Sequence, residues 1–79
     1  MHEMAITQSI VDAVMEKIPD RKVVGVRLEI GLAAGVVADS VRFCFDLITE
    51  DTNLAGAELS IDEPPGQELR IKSVKVEVN

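Results

Sequence analysis

Aromatic side chains are nearly missing: the 79 residues include two Phe, no Trp and no Tyr. A packed interior must therefore be built from Val, Ile, Leu and Met. Cysteine is reduced to Cys44 alone, which excludes a disulfide within the chain and a thiolate zinc cluster, and fits a reducing compartment. Histidine is reduced to His2, which excludes two-His metal motifs. Cations are outnumbered, 8 Lys and Arg against 14 Asp and Glu, for a net charge of −6. Such a balance repels phosphate backbones and anionic bilayers, so neither nucleic acid nor a membrane surface is an expected partner. No basic segment followed by an apolar run opens the sequence, and no stretch approaches the ~18 apolar residues of a membrane span. The expectation is a cytoplasmic protein without a signal peptide. No repeat or low-complexity segment is present.

What remains is apolar enough to fold. Hydrophobic residues make up 47% of the chain, so one small domain with a packed core is expected rather than disorder. Met4 to Ile18 reads as a helix: Ile6, Ile10, Val14 and Ile18 recur every fourth residue, with Val11 and Met15 widening the stripe, and Pro19 stops it. Val24 to Ile30 alternates, with Val24, Val26, Leu28 and Ile30 inward and Arg27 and Glu29 on a wet face. The glycines and alanines of GLAAGVV, residues 31–37, suggest a loop with close backbone approaches. A second helix is expected from Asp39 or Ser40 to Thr49, with Val41, Phe45 and Ile48 on one side and either Asp39 or Ser40 as its cap.

Glu58 to Asp62 reads as a short strand with Leu59 and Ile61 inward, and Glu63-Pro-Pro-Gly-Gln67 as a turn. Glu68 to Val78 reads as a last strand whose phase breaks: Leu69, Ile71 and Ser73 share one face, Val74, Val76 and Val78 the other. Because a slip of one residue flips every side chain, a bulge or strong twist is expected near Ser73. Otherwise the valine half pairs with another surface, which offers a route to a homodimer by strand exchange. The order α-β-α-β-β defines an α+β fold, a three-stranded sheet with both helices on one face and Arg27, Glu29, Glu58 and Ser60 on the other. On this reading Arg70 and Lys72 form a solvated face or pair with Glu58 and Asp62.

Few residues carry chemistry. Cys44, next to Phe43 and Phe45, reads as a small buried hydrophobe. The glycines of residues 31–37 match no phosphate-binding fingerprint, and the dispersed carboxylates name no acid–base pair. No nucleophile–base constellation is visible, so an enzyme is not expected. His2 has two readings. It is a solvated residue at a frayed end, or part of a chelate. In the second case the Met1 amine, the His2 amide nitrogen and imidazole, and the Glu3 amide or carboxylate surround one metal. Planar nitrogen-rich coordination suits Ni(II) or Cu(II) better than Zn(II), which prefers a tetrahedron. Such a site weakens in mild acid, because amine and imidazole titrate near neutrality. On residues 1–3 alone the two readings stay open. Asp39 likewise reads as a helix cap or as a source of an axial oxygen.

Four segments, MHEMAITQSIVDAV, VRLEIGLAAGVVADSVRFCFDLITEDT, GAELSIDEPPG and ELRIKSVKVEV, resemble in order the HypA/HybF family of hydrogenase and urease nickel-incorporation proteins. The resemblance implies a nickel metallochaperone with Ni(II) at Met1, His2 and Glu3. It implies as partners a maturation GTPase and the target subunit of a hydrogenase or urease. The family inserts a zinc domain with two Cys-x-x-Cys pairs between its second and third strands. At that position this sequence holds only Glu63 to Gln67 and no zinc ligand. Residues 1–79 are therefore expected to form one nickel-binding domain without zinc. They belong either to a natural zinc-less form or to a chain from which the zinc domain has been excised. A second functional reading, an interaction or dimerisation module with impaired nickel delivery, follows from that gap and from the broken phase of the last strand.

Overall fold

The computed structural model describes residues 2–78. It contains α1 (Glu3–Lys17), β1 (Val23–Ile30), α2 (Ala38–Ile48), β2 (Glu58–Asp62) and β3 (Leu69–Val76), the α+β order expected. No helix among the described residues is long and apolar enough to cross a membrane.

The strands lie in the order β2-β1-β3. β1 and β2 are parallel, with Gly25 opposite Glu58 and Glu29 opposite Asp62. A parallel neighbour needs a crossover, and α2 supplies it. β3 then runs antiparallel on the other side of β1. Residues 63–68 are consequently not a hairpin turn between neighbouring strands. They form a strap across the end of β1. Gly31 donates to the Glu68 carbonyl at 2.7 Å, Leu32 to Pro64 at 2.7 Å and Ala33 to Gly66 at 2.9 Å. The close approach anticipated for the 31–37 loop is here: a Cβ on Gly31 would overlap the Gly66 carbonyl and lie 2.8 Å from the Glu68 nitrogen.

The phase break of the last strand is a bulge. Arg27 pairs with Ser73 but Leu28 pairs with Ile71, which leaves Lys72 without an opposite residue. The bulge lets Ile71, Val74 and Val76 all pack against the core. The valine half thus pairs with β1 of the same chain. A second irregularity was not anticipated. Val23 pairs with Val76 and Gly25 with Lys75, which leaves Val24 over. Strict alternation inward from Val24 therefore fails at its first residue: Val23 is fully buried, Val24 only half-buried, and alternation resumes at Val26.

The core lies between the helices and one sheet face, from Ile10, Val11 and Val14 of α1, Val41 and Phe45 of α2, and Val23, Val26, Leu28 and Ile30 of β1. Leu54, in the connector after α2, is also fully buried. Two buried threonines satisfy their hydroxyls on their own helices: Thr7 donates to the Glu3 carbonyl at 2.6 Å and Thr49 to that of Phe45 at 2.7 Å.

The opposite sheet face is ionic. Arg27 forms a two-pronged pair with Asp62 at 2.9 and 3.1 Å. Arg70 binds Glu29, and Lys72 lies 3.6 Å from both Glu29 and Asp62. Lys72 therefore finds the expected Asp62, while Arg70 takes Glu29, its register partner on β1, rather than Glu58. These pairs hold the carboxyls of Asp62 and Glu29 below the usual range, through the Arg27 and Arg70 guanidinium groups respectively.

Candidate metal centre at the amino terminus

Met1 lies outside the described residues, so the first donor of the expected chelate has no described position. His2 is exposed and non-helical, with φ −91° and ψ 66°, immediately ahead of α1. The helix begins one residue earlier than its apolar stripe indicates. Its first hydrogen bond runs from the Ile6 amide to the His2 carbonyl at 3.0 Å. The Glu3 amide precedes the ladder and has no intrahelical acceptor. At this end of α1 an imidazole and an unladdered backbone nitrogen stand side by side.

The Glu3 carboxylate lies over this same end of the helix, close enough to its own backbone N–H for that group to join the Val37 amide in lowering its pKa. Its Oε2 accepts a hydrogen bond from the Val37 amide at 3.1 Å. Val37 is the residue ahead of α2, and no side chain of its own caps that helix. This corrects the expected capping role of Asp39 or Ser40. α2 starts at Ala38, so both residues fall inside its first turn and the cap position falls on valine, which has no oxygen to offer. A carboxylate from 34 residues earlier binds the amide of the cap residue itself instead. Accepting the Val37 N–H holds the Glu3 carboxyl below its ordinary pKa, and an anion at a helix N-terminus is favourable.

The Glu3–Val37 clasp draws the starts of the two helices together. Between them lies an open cleft with His2, Glu3 and Met4 on one wall and Asp39, Ser40 and Phe43 on the other. Cys44 closes its floor and is only 7% exposed, in keeping with a small buried hydrophobe. Asp39, the alternative oxygen donor of the sequence reading, is on the same cleft as His2. Among the described residues no three His, Cys, Asp or Glu side chains converge as a metal-holding group. A metal centre here has to draw on backbone nitrogens, and residues 2 and 3 present them. Nitrogen donors in a chelating sequence favour a square-planar ion such as Ni(II). The clasp and the position of Asp39 were invisible in the sequence, because Val37 is an apolar residue whose only relevant group is its amide.

A profile of the family described as hydrogenase/urease nickel incorporation, metallochaperone, hypA matches residues 1–69. A hydrogenase maturation factor HypA from Geobacter metallireducens is 49% identical over 67 residues, covering 85% of this chain and 61% of its own length. Its counterpart from Nostoc punctiforme is 50% identical over 66 residues, 84% of this chain and 58% of that protein. One from Chlorobaculum tepidum is 43% identical over 70 residues, 85% of this chain and 62% of its own. The chain thus spans about three fifths of the length of these relatives.

Proposed function

The chain belongs to the HypA family of hydrogenase and urease nickel-incorporation metallochaperones, and we propose that it carries one Ni(II) on Met1, His2 and Glu3 for delivery to a nickel enzyme under maturation. One observation carries the reading: the Glu3 carboxylate is engaged by the Val37 amide while its own backbone nitrogen is free of the helix ladder. The Glu3 contribution is therefore its amide rather than its carboxylate. The donor set becomes the Met1 amine, the His2 amide and imidazole, and the Glu3 amide. Asp39, on the facing wall of the same cleft, would offer the ion an oxygen from that side. Deprotonated amide nitrogens in a plane are the preference of Ni(II) rather than of Zn(II).

On this reading the protein is a carrier and not an enzyme. It works in the cytoplasm, hands nickel between a maturation GTPase and the target subunit of a hydrogenase or urease, and needs no zinc for that. The open cleft suits a carrier: the ion is reached from solvent, so an acceptor's ligands can replace the chaperone's one at a time. Val74 and Val76 have their partner strand within the chain, and the chain is read as acting with one nickel per copy.

The test is a Ni(II) titration of the untagged 79-residue chain, followed by calorimetry and by the d–d absorption of planar nickel. The parent binds one ion. His2→Ala weakens binding about a hundredfold, on the order of 3 kcal/mol per nitrogen ligand. An extension of even a few residues ahead of Met1 abolishes the planar spectrum, because the free amine is lost. If either altered protein binds nickel as the parent does, the proposed site is wrong.

A further inference from the structure

We propose that the open edge of β3, with the trough between it and α1, takes up an extended acidic–apolar segment of a partner protein as a fourth strand. Among the described residues the sheet order leaves β3 with β1 on one side and no strand on the other. Three depressions follow one another along that free side. The first lies between Ile6, Ile10 and Ala13 of α1 and Leu69 and Ile71 of β3. It shares Ala13 and Ile71 with the second, which shares Lys17, Ile18 and Val74 with the third. Together they form one trough that runs from Leu69 to Val76, the length of β3, about 27 Å at ~3.4 Å per residue. α1 overhangs it, so an added strand would rest its inward side chains on Ile6, Ile10 and Ala13 while its backbone completed the unpaired half of the β3 ladder.

Charge identifies the occupant. The helix wall and mouth of the trough carry the cations Lys17 and Arg21 and one carboxylate, Asp20, while Arg70 and Lys72 extend from β3 onto the ionic face beside the same edge. The rest of the chain then holds four cations and thirteen carboxylates. A positive strip on so acidic a protein selects a negative ligand. Lys17 and Arg21 are exposed and form no ion pair among the described residues. Arg70 and Lys72 keep 66% and 46% of their side chains exposed despite their pairs across the sheet. A second copy of this chain is a poor occupant. Antiparallel pairing of β3 with its own image in full register would set Arg70 against Lys75 at both ends of the pair, which disfavours self-pairing at an edge.

The experiment uses the intact chain and two fluorescein-labelled ten-residue peptides, one alternating Val and Glu, the other Val and Lys. Fluorescence anisotropy gives affinity, and amide hydrogen exchange locates the bound peptide. The Val–Glu peptide is expected to bind at least about tenfold more tightly than the Val–Lys peptide and to lose affinity as salt rises. It should slow exchange at alternate amides of Leu69 to Val76. Lys17→Glu with Arg21→Glu should weaken it roughly threefold to tenfold with an unchanged circular dichroism spectrum. Failure of both peptides to bind, equal binding of the two, or protection away from β3 would overturn the proposal. So would a concentration-dependent dimer whose formation protects the same β3 amides, because a second copy would then fill the trough.

Discussion

Gly31→Ala is the substitution on which the crossing strap can be judged. Gly31 is not among the glycines with positive φ, which are Gly35 and Gly56, so alanine can adopt its backbone conformation and any penalty is steric. The added Cβ would fall within van der Waals contact of the Gly66 carbonyl group and 2.8 Å from the Glu68 nitrogen. Both are main-chain atoms with no rotamer to yield. Overpacking of this kind costs about 1–3 kcal/mol. Relief requires the strap to lift, and that strains the hydrogen bonds from Gly31, Leu32 and Ala33, each worth about 1 kcal/mol net. The expected loss is therefore about 2–5 kcal/mol, against a total of about 4–12 kcal/mol for a chain of this size. In a thermal melt followed by circular dichroism the midpoint should fall by at least ~10 °C. Gly25→Ala is the matched control. Its Cβ would meet Lys75 Cβ at 3.6 Å and the Glu58 carbonyl at 3.7 Å, ordinary contacts, so its stability should stay within about 0.5 kcal/mol of the parent or rise slightly. If Gly31→Ala unfolds within about 0.5 kcal/mol of the parent, the strap is not seated on Gly31 and the path of residues 63–68 is wrong.

Three other outcomes follow from the same geometry. Glu3→Ala removes the acceptor for the Val37 amide and should lower the urea midpoint measurably. Glu3→Gln, which keeps an acceptor oxygen, should lose less, and both should still bind nickel in the titration; loss of binding in Glu3→Ala as severe as in His2→Ala would make the carboxylate a ligand. Glu29 and Asp62 have folded-state pKa values depressed by Arg70 and Arg27, so their contribution is present above the unfolded carboxylate range and lost as pH falls through the folded values. Urea midpoints should be flat from neutrality to about pH 5 and decline below about pH 4, and the decline should be shallower in Glu29→Gln with Asp62→Asn. Phe45→Ala empties the centre of a core that has no other buried aromatic residue and should cost about 3–5 kcal/mol, a fall in melting midpoint of more than ~12 °C, whereas Leu32→Ser at a 68% exposed position should change stability by less than about 0.5 kcal/mol.

The parts of this molecule that were legible in its sequence are those whose cause is local. The every-fourth-residue stripe of α1 and the stop before Pro19 are properties of one helix, and the helix forms within one residue of the expected bounds at each end, Glu3–Lys17 with Ile18 as its C-cap. The bulge beside Ser73 was legible because the valines of β3 change parity within the strand itself. The irregularity at Val24 was not, since it shows only in how β1 meets β3, some 50 residues away along the chain. The same distinction divides the candidate site. A chelate of residues 1–3 is contiguous, so its donors can be read in a row once the family resemblance raises the terminal histidine above an accident. What those donors face is set by the fold. Asp39 and Ser40 are good capping residues by type, yet the helix start at Ala38 moves them one position too far in. With valine at the cap position, the Val37 amide takes the Glu3 carboxylate as its acceptor, while the Glu3 amide stays ahead of the helix ladder. One register choice at the start of α2 thus decides what the Glu3 carboxylate is bonded to, and that partner lies 34 residues away, beyond the reach of any local pattern.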